Sequence, residues 1–226
     1  MNSNPGILRK TLATSLLIFP AILVLAFIMH FHSVEDFFSF RLKKGPSYNA
    51  GALFDELVKT GGGGFIHAHA LAYLSVPFMI LTILCLGYLL YPKKPILSFV
   101  GVSVGIIGSV FMAGVFASWL SFTAVSRVEP QFYVGAKAAL TELTRMTGVL
   151  KAITLLSFLS LIGIIILCIG FLKTKILPKW TPISILTGCI IISVFMDMDN
   201  WMLMGSIFIL AGLIPVSRLF KVGKEI

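Results

Sequence analysis

The chain has 226 residues, 58% hydrophobic and only 12% charged, with a mean hydropathy of +1.00. A water-soluble domain of this size cannot hide that much apolar surface, which leaves the membrane class. The net charge of +9 does not point to nucleic acid, because the cations are parted between apolar runs instead of gathered on one polar domain.

Six apolar runs are long enough, or closely enough bounded, to cross a hydrocarbon core of ~30 Å. They are Leu12–Phe31, Ala68–Tyr91, Ile96–Leu120, Val149–Leu172, Pro182–Met196 and Trp201–Val216. The polar connections alternate in charge. One set (Arg9, Lys10; Lys93, Lys94; Lys173, Lys175, Lys179; Arg218, Lys221, Lys224) is nearly pure cation. The other holds eight of the nine acidic residues and all four histidines. The positive-inside rule then predicts both termini in the cytoplasm and the acidic, histidine-bearing end outside.

In chain order, the first run follows Arg9 and Lys10 and lacks a small-x-small cleavage site, so it reads as a retained helix, kinked at Pro20. An outer loop over 32–66 follows. Asn49 is a candidate cap for a short amphipathic helix whose apolar face is Leu53, Phe54, Leu57 and Val58. That helix is expected to lie flat on the bilayer. Gly61 to Gly64 come next without a break and read as a hinge or disordered joint.

Spans two and three form a hairpin around Tyr91-Pro-Lys-Lys-Pro95. Span three carries Gly101, Gly105, Ser109, Ala113 and Ala117 at every fourth position, a stripe that predicts a face for close helix packing. The outer segment over 121–148 is polar. It is expected to extend span four past the bilayer, with Glu142 and Arg145 paired. Trp119 and Trp201 fall near one boundary and Trp180 near the other, as an aromatic belt would have them.

Leu84-Cys-Leu-Gly-Tyr-Leu89 and Leu167-Cys-Ile-Gly-Phe-Leu172 echo one another. A cationic, proline-bearing turn follows each, and then Ser98 and Gly101 in one copy, Ser184 and Gly188 in the other. The repeat predicts a duplicated helical hairpin, spans two–three and four–five. The three cysteines Cys85, Cys168 and Cys189 lie inside predicted spans, which argues against a disulfide framework.

The turn Lys175-Ile-Leu-Pro-Lys-Trp180 resembles the Leu-Ile-Pro-Arg-Trp turn of an uncharacterised family of bacterial six-span integral membrane proteins, which also have a long loop after span one. The resemblance implies an architecture and assigns no site residues.

The expected fold is therefore all-α: one polytopic membrane helical bundle over 1–226, with six transmembrane helices, N-in and C-in. The expected location is the cell (inner, cytoplasmic) membrane. Expected partners are the lipid bilayer, anionic lipid at the basic face, and a protein partner or second copy; nucleic acid is not among them.

Counting helical rise from the basic turns puts His30, His69, Lys151 and the turn Met196-Asp-Met-Asp-Asn-Trp201 at one depth. His67, His69, His30 and Asp199 are candidate ligands for zinc, copper or iron, since imidazole and carboxylate suit these metals. Residues two apart on a helix point ~200° away from each other, so His67 joins His69 only if the backbone there is extended. The largest set that can meet is one of His30/His32, one or both of His67/His69 and one of Asp197/Asp199. The plainer reading is histidine at the headgroup level, with Lys151 fastening span four to Asp197 or Asp199. The span centres hold no ionisable residue, which argues against a proton-coupled transporter. The function expected from sequence is a non-catalytic binding or interaction role at the outer face. The alternatives are a metal-dependent membrane enzyme or redox protein, and a facilitator of a neutral or lipid-like molecule.

Overall fold

A computed structural model describes residues 5–31, 34–38, 50–145, 147–195 and 198–222. Asn49, His32 and Asp197, each named above, lie outside the described residues. Those described form helices and turns, with no strand among them. The helices are α1 (Pro5–Ile28), α2 (Val34–Phe38), α3 (Ala50–Thr60), α4 (Gly63–Leu90), α5 (Pro95–Leu120), α6 (Tyr133–Thr144), α7 (Gly148–Ser157), α8 (Leu159–Thr174), α9 (Trp180–Val194) and α10 (Asp199–Val222).

Five segments are long and apolar enough to cross a membrane: Lys10–Ile28, Gly63–Leu90, Pro95–Thr123, Gly148–Thr174 and Asp199–Lys221. The fifth predicted run, Pro182–Met196, forms the shorter apolar α9, whose 15 residues rise only ~22 Å.

The long helices form a ring. α1 packs on α4, α4 on α5, α5 on α7 and α8, α8 on α9, α9 on α10, and α10 closes back on α1. The ring is filled rather than hollow. Leu16, Phe19, Ile83, Leu86, Leu90, Ile164, Leu167, Phe171 and Ile185 are all fully buried within it. Lipid tails are as apolar as these side chains, so close fit and hydrogen bonds, more than burial, hold such helices together.

Glycine makes the fit. A methyl group on Gly163 of α8 would lie 2.4 Å from the Cα of Gly105 and 2.6 Å from the carbonyl oxygen of Gly101, so α5 and α8 touch backbone to backbone. The predicted stripe thus packs at Gly101, Gly105 and Ser109, which are buried, while Ala113 is partly buried and Ala117 is exposed. The tightest approach lies off the fourfold register, at Gly108, where an added methyl would come 1.9 Å from the backbone nitrogen of Ser160. The predicted continuous span four is broken opposite that point: α7 ends at Ser157 and α8 starts at Leu159. Through the break, the hydroxyls of Thr154, Ser157 and Ser160 donate to the carbonyls of Leu150, Thr154 and Ser157. Such bonds draw carbonyls away from the regular ladder and bend helices. A second glycine crossing joins α9 to α10, where a methyl on Gly188 would meet the Gly205 carbonyl at 2.4 Å.

Outside the ring, two expectations are corrected. α3 turns its apolar face to protein, where lipid contact was expected. Its face Leu53, Phe54 and Leu57 is 2%, 4% and 1% exposed and packs against Phe122 and Leu140 in a second hydrophobic cluster. α6 does not extend span four: the chain turns at Gly148, with φ +57°, and α6 folds back against α3. An apolar face that finds protein partners leaves nothing for lipid to cover. Glu142 and Arg145 pair at 2.5 Å as the spacing predicts, and Lys137 reaches Asp55 at 3.6 Å between α6 and α3.

Candidate functional site at the acidic end of the ring

The site grows from the ends of three helices distant in sequence. α1 stops at Ile28, and the chain tightens through Met29 N–H to Leu25 O (3.1 Å) and His30 N–H to Phe27 O (3.1 Å). His30 is left at the helix end, free of the groove between turns. α10 starts at Asp199, where a carboxylate suits the positive end of the helix dipole. The two helices run side by side, and at the opposite end Ser217 Oγ donates to Ala13 O at 2.7 Å. This alignment brings His30 Nδ1 to 2.7 Å from Asp199 Oδ1. Beside it, the Asn200 side chain donates to the carbonyl of Phe37 in α2.

The third element is α4, and the glycine run sets its position. Gly61 and Gly62 have φ +63° and +84°, a left-handed turn that side chains resist. They end α3 with Gly62 N–H donating to Leu57 O at 2.9 Å, and Ile66 N–H then returns to Gly62 O at 2.9 Å. The run is an ordered turn, not a loose joint. Gly64 serves a different need. A methyl there would sit 2.9 Å from Met29 O, so glycine is what lets the start of α4 lie against the end of α1. One turn on, His69 Nδ1 donates to Phe65 O at 2.7 Å. Its ring centre lies 5.2 Å from that of His30, tilted by 30°.

Aromatic side chains cover the pair. The Phe65 ring is 4.1 Å from His69 and 6.5 Å from His30, stacked parallel to the latter. Trp119, from the end of α5, lies 5.5 Å from His69. Phe122 packs on both Phe65 and Trp119 and belongs to the cluster under α3. A continuous contact therefore runs from the α3 cap through Phe122 and Phe65 to the two imidazoles. Next to Trp119, bounded also by Ser118 and Thr154, is a gap of about 10 Å³, room for roughly one water.

Of the predicted site residues, the structure brings together His30, His69 and Asp199. His67 is exposed: α4 is already helical from Gly63, so the extended backbone that would turn His67 toward His69 does not exist. Lys151 is exposed on α7 and among the described residues forms no ion pair, Asp199 being joined by His30; its other expected partner, Asp197, lies outside the described residues. Among the described residues, no group of three or more His, Cys, Asp or Glu side chains converges as a ready metal cage.

Sequence reasoning missed Phe65, Phe122 and the role of Trp119, which it assigned to an aromatic belt. The only signal was their clustering next to the glycine run and the polar segment. Trp201 stacks on Phe195 at 4.4 Å, and Trp180 is 53% exposed at the other end.

Chemically, both imidazoles are oriented through Nδ1. A carbonyl and a carboxylate only accept, so each Nδ1 carries a proton, and the neutral form of each ring has its lone pair on Nε2. Among the described residues nothing hydrogen-bonds to either Nε2. Ser118 and Ser121, at a similar depth, donate instead to Val115 O and Ser118 O at 2.7 and 2.6 Å. No family model, curated protein or solved structure matches this chain, so the likeness of the Lys175–Trp180 turn remains that of one motif.

Proposed function

We propose that the chain is a six-span protein of the cell membrane with both termini in the cytoplasm, and that it binds a small ligand at its outer, histidine-bearing end without catalysing a reaction. One observation carries the reading: α1, α4 and α10 each deliver a polar side chain to the same point, where His30, His69 and Asp199 meet beneath an aromatic cover. Packing a membrane ring does not require this. A partly buried polar cluster carries a desolvation cost and is kept when something uses it. The role is binding because the nearby serine hydroxyls give their protons to their own helix, leaving no nucleophile on either imidazole among the described residues.

α9 serves as the fifth of the six spans, the shortest of them. The segregation of cations supports the orientation, and Lys10 borders an open groove with Thr11, Thr14 and Ser15 where an anionic headgroup fits. The duplicated hairpin also belongs to this reading. Gly87 and Gly170 both face a neighbouring helix, against Val102 and Leu90. The matching serines have diverged: Ser98 donates to Gly87 O within its hairpin, Ser184 to Phe208 O of α10.

The test is thermal. The triple variant His30→Phe, His69→Phe, Asp199→Asn, purified in detergent, is expected to melt at or above the wild-type temperature, as functional polar clusters do when removed. A melting temperature lower by more than roughly 5 °C would make the cluster a structural fastening and end the binding proposal.

A further inference from the structure

The two unshared Nε2 atoms carry the argument further. A histidine that binds a metal through one nitrogen almost always donates its other N–H to a carboxylate or a backbone carbonyl, which fixes the tautomer and raises basicity. His30 has the carboxylate, at 2.7 Å, and His69 has the carbonyl, at 2.7 Å. Both kinds of supporting partner are present, on different elements, for two imidazoles whose ring centres lie 5.2 Å apart.

Their spacing fits as well. A tetrahedral ion held by one nitrogen from each of two imidazoles, with bonds of about 2.0 Å, puts the ring centres about 5 Å apart. The observed separation is 5.2 Å. Two rings brought together only by stacking need no such support at both Nδ1 positions. The set also explains why His67 is idle: it lies on the far side of α4.

We infer that His30 and His69 bind one borderline transition-metal dication through Nε2, with Asp199 and the Phe65 carbonyl as their supporting shell. The protein supplies two ligands, since Asp199 is engaged with His30 Nδ1 and among the described residues no group of three or more His, Cys, Asp or Glu side chains forms a metal cage. The remaining positions are open to water or to an exogenous anion or base. An ion with two protein ligands is exchangeable, which suits a site that senses or passes on metal more than one that uses it to hold the fold. Phe65 and Trp119 cover the pair and limit solvent access.

This inference rests on the reading of this end as a binding site, but it fails separately. The experiment titrates the detergent-purified full chain with Co²⁺, following the visible d–d absorption, and with Zn²⁺ by calorimetry. The expected result is saturation at one ion per chain, with His67→Ala unchanged, His30→Ala and His69→Ala each at least tenfold weaker, and Asp199→Asn weaker by roughly 10–100-fold, as loss of a supporting partner usually gives. The wild-type titration decides even if a variant folds poorly, and a cooperative melt certifies each variant used. No saturable binding by wild type, or equal losses for His67→Ala and His69→Ala, would overturn the metal assignment. The thermal test of the polar cluster would stand untouched by that result.

Discussion

Gly64 and Met29 meet backbone to backbone, and a methyl group on Gly64 would lie 2.9 Å from the Met29 carbonyl oxygen. His30 follows Met29 and Phe65 follows Gly64, so this contact sets the depth at which the His30 and His69 turns face each other. The obstacle is a backbone carbonyl just past the end of α1, which cannot swing aside as a side chain can. Gly64→Ala is therefore expected to separate the helix ends at about 1–3 kcal/mol, the usual range for overpacking, or roughly 2–10 °C in melting temperature. Gly63→Ala meets only Thr60 side-chain atoms, the nearest at 3.5 Å, and is expected to melt like wild type. Equal melts for the two variants in detergent would refute this account of the glycine run.

The α5–α8 crossing makes the same kind of prediction with an internal control. Gly163→Ala places a methyl 2.4 Å from Gly105 Cα, whereas Gly135→Ala in α6 meets nothing within 4 Å. The first is expected to lower the melting temperature by forcing the helices apart, at ~1–3 kcal/mol. The second is expected to raise it slightly, because alanine is favoured over glycine by ~1 kcal/mol in a helix interior. Thermal melts of both variants give opposite signs if the crossing is as close as described.

The cap formed by α3 is held by protein contacts, with Leu57 at 1% exposure. Leu57→Ala removes its most buried anchor, at about 2–5 kcal/mol for a core leucine. The substitution is expected to free α3 from Phe122 and Leu140 and open the Gly61–Gly62 turn to protease. Limited proteolysis in detergent should then cut between α3 and α4 several times faster than in wild type. An unchanged cleavage rate would mean that α3 is held by something other than this cluster.

Orientation is decided by reporters. Fusions after Lys94 and at Gly62 sit at opposite ends of α4. A cytoplasm-active reporter is expected to work after Lys94 and fail at Gly62. The reverse pattern would invert the proposed topology while leaving the geometry of the histidine pair intact.

How much of this was legible in the sequence varies with the reach of the signal. The all-helical class and the membrane-length runs follow from composition, because lipid demands internally satisfied backbone over ~20 apolar residues. The α5 packing stripe was legible at Gly101 and Gly105, since small residues four apart lie on one helix face. Gly108 was not, because its contact depends on the break between α7 and α8, which only the neighbouring backbone explains. The depth of His30, His69 and Asp199 was legible by counting helical rise, which is a property of each helix alone. The helical backbone at His67 was not, because it depends on where α4 starts. That start is set by the left-handed turn at Gly61 and Gly62 and by the fit of Gly64 against Met29.

The sequence by itself determined that this chain is a set of long apolar helices whose connections alternate between nearly pure cation and segments holding eight of the nine acids and every histidine, because these are local or additive properties of the residues. Only the tertiary structure decided which polar groups meet. It pairs His30 with Asp199 across 169 positions, turns His67 outward, and brings in Phe65 and Trp119. The physical reason is that contact depends on which helices are neighbours in the ring and how each is rotated. That is set by where glycines let backbones touch, and no single helix carries the information.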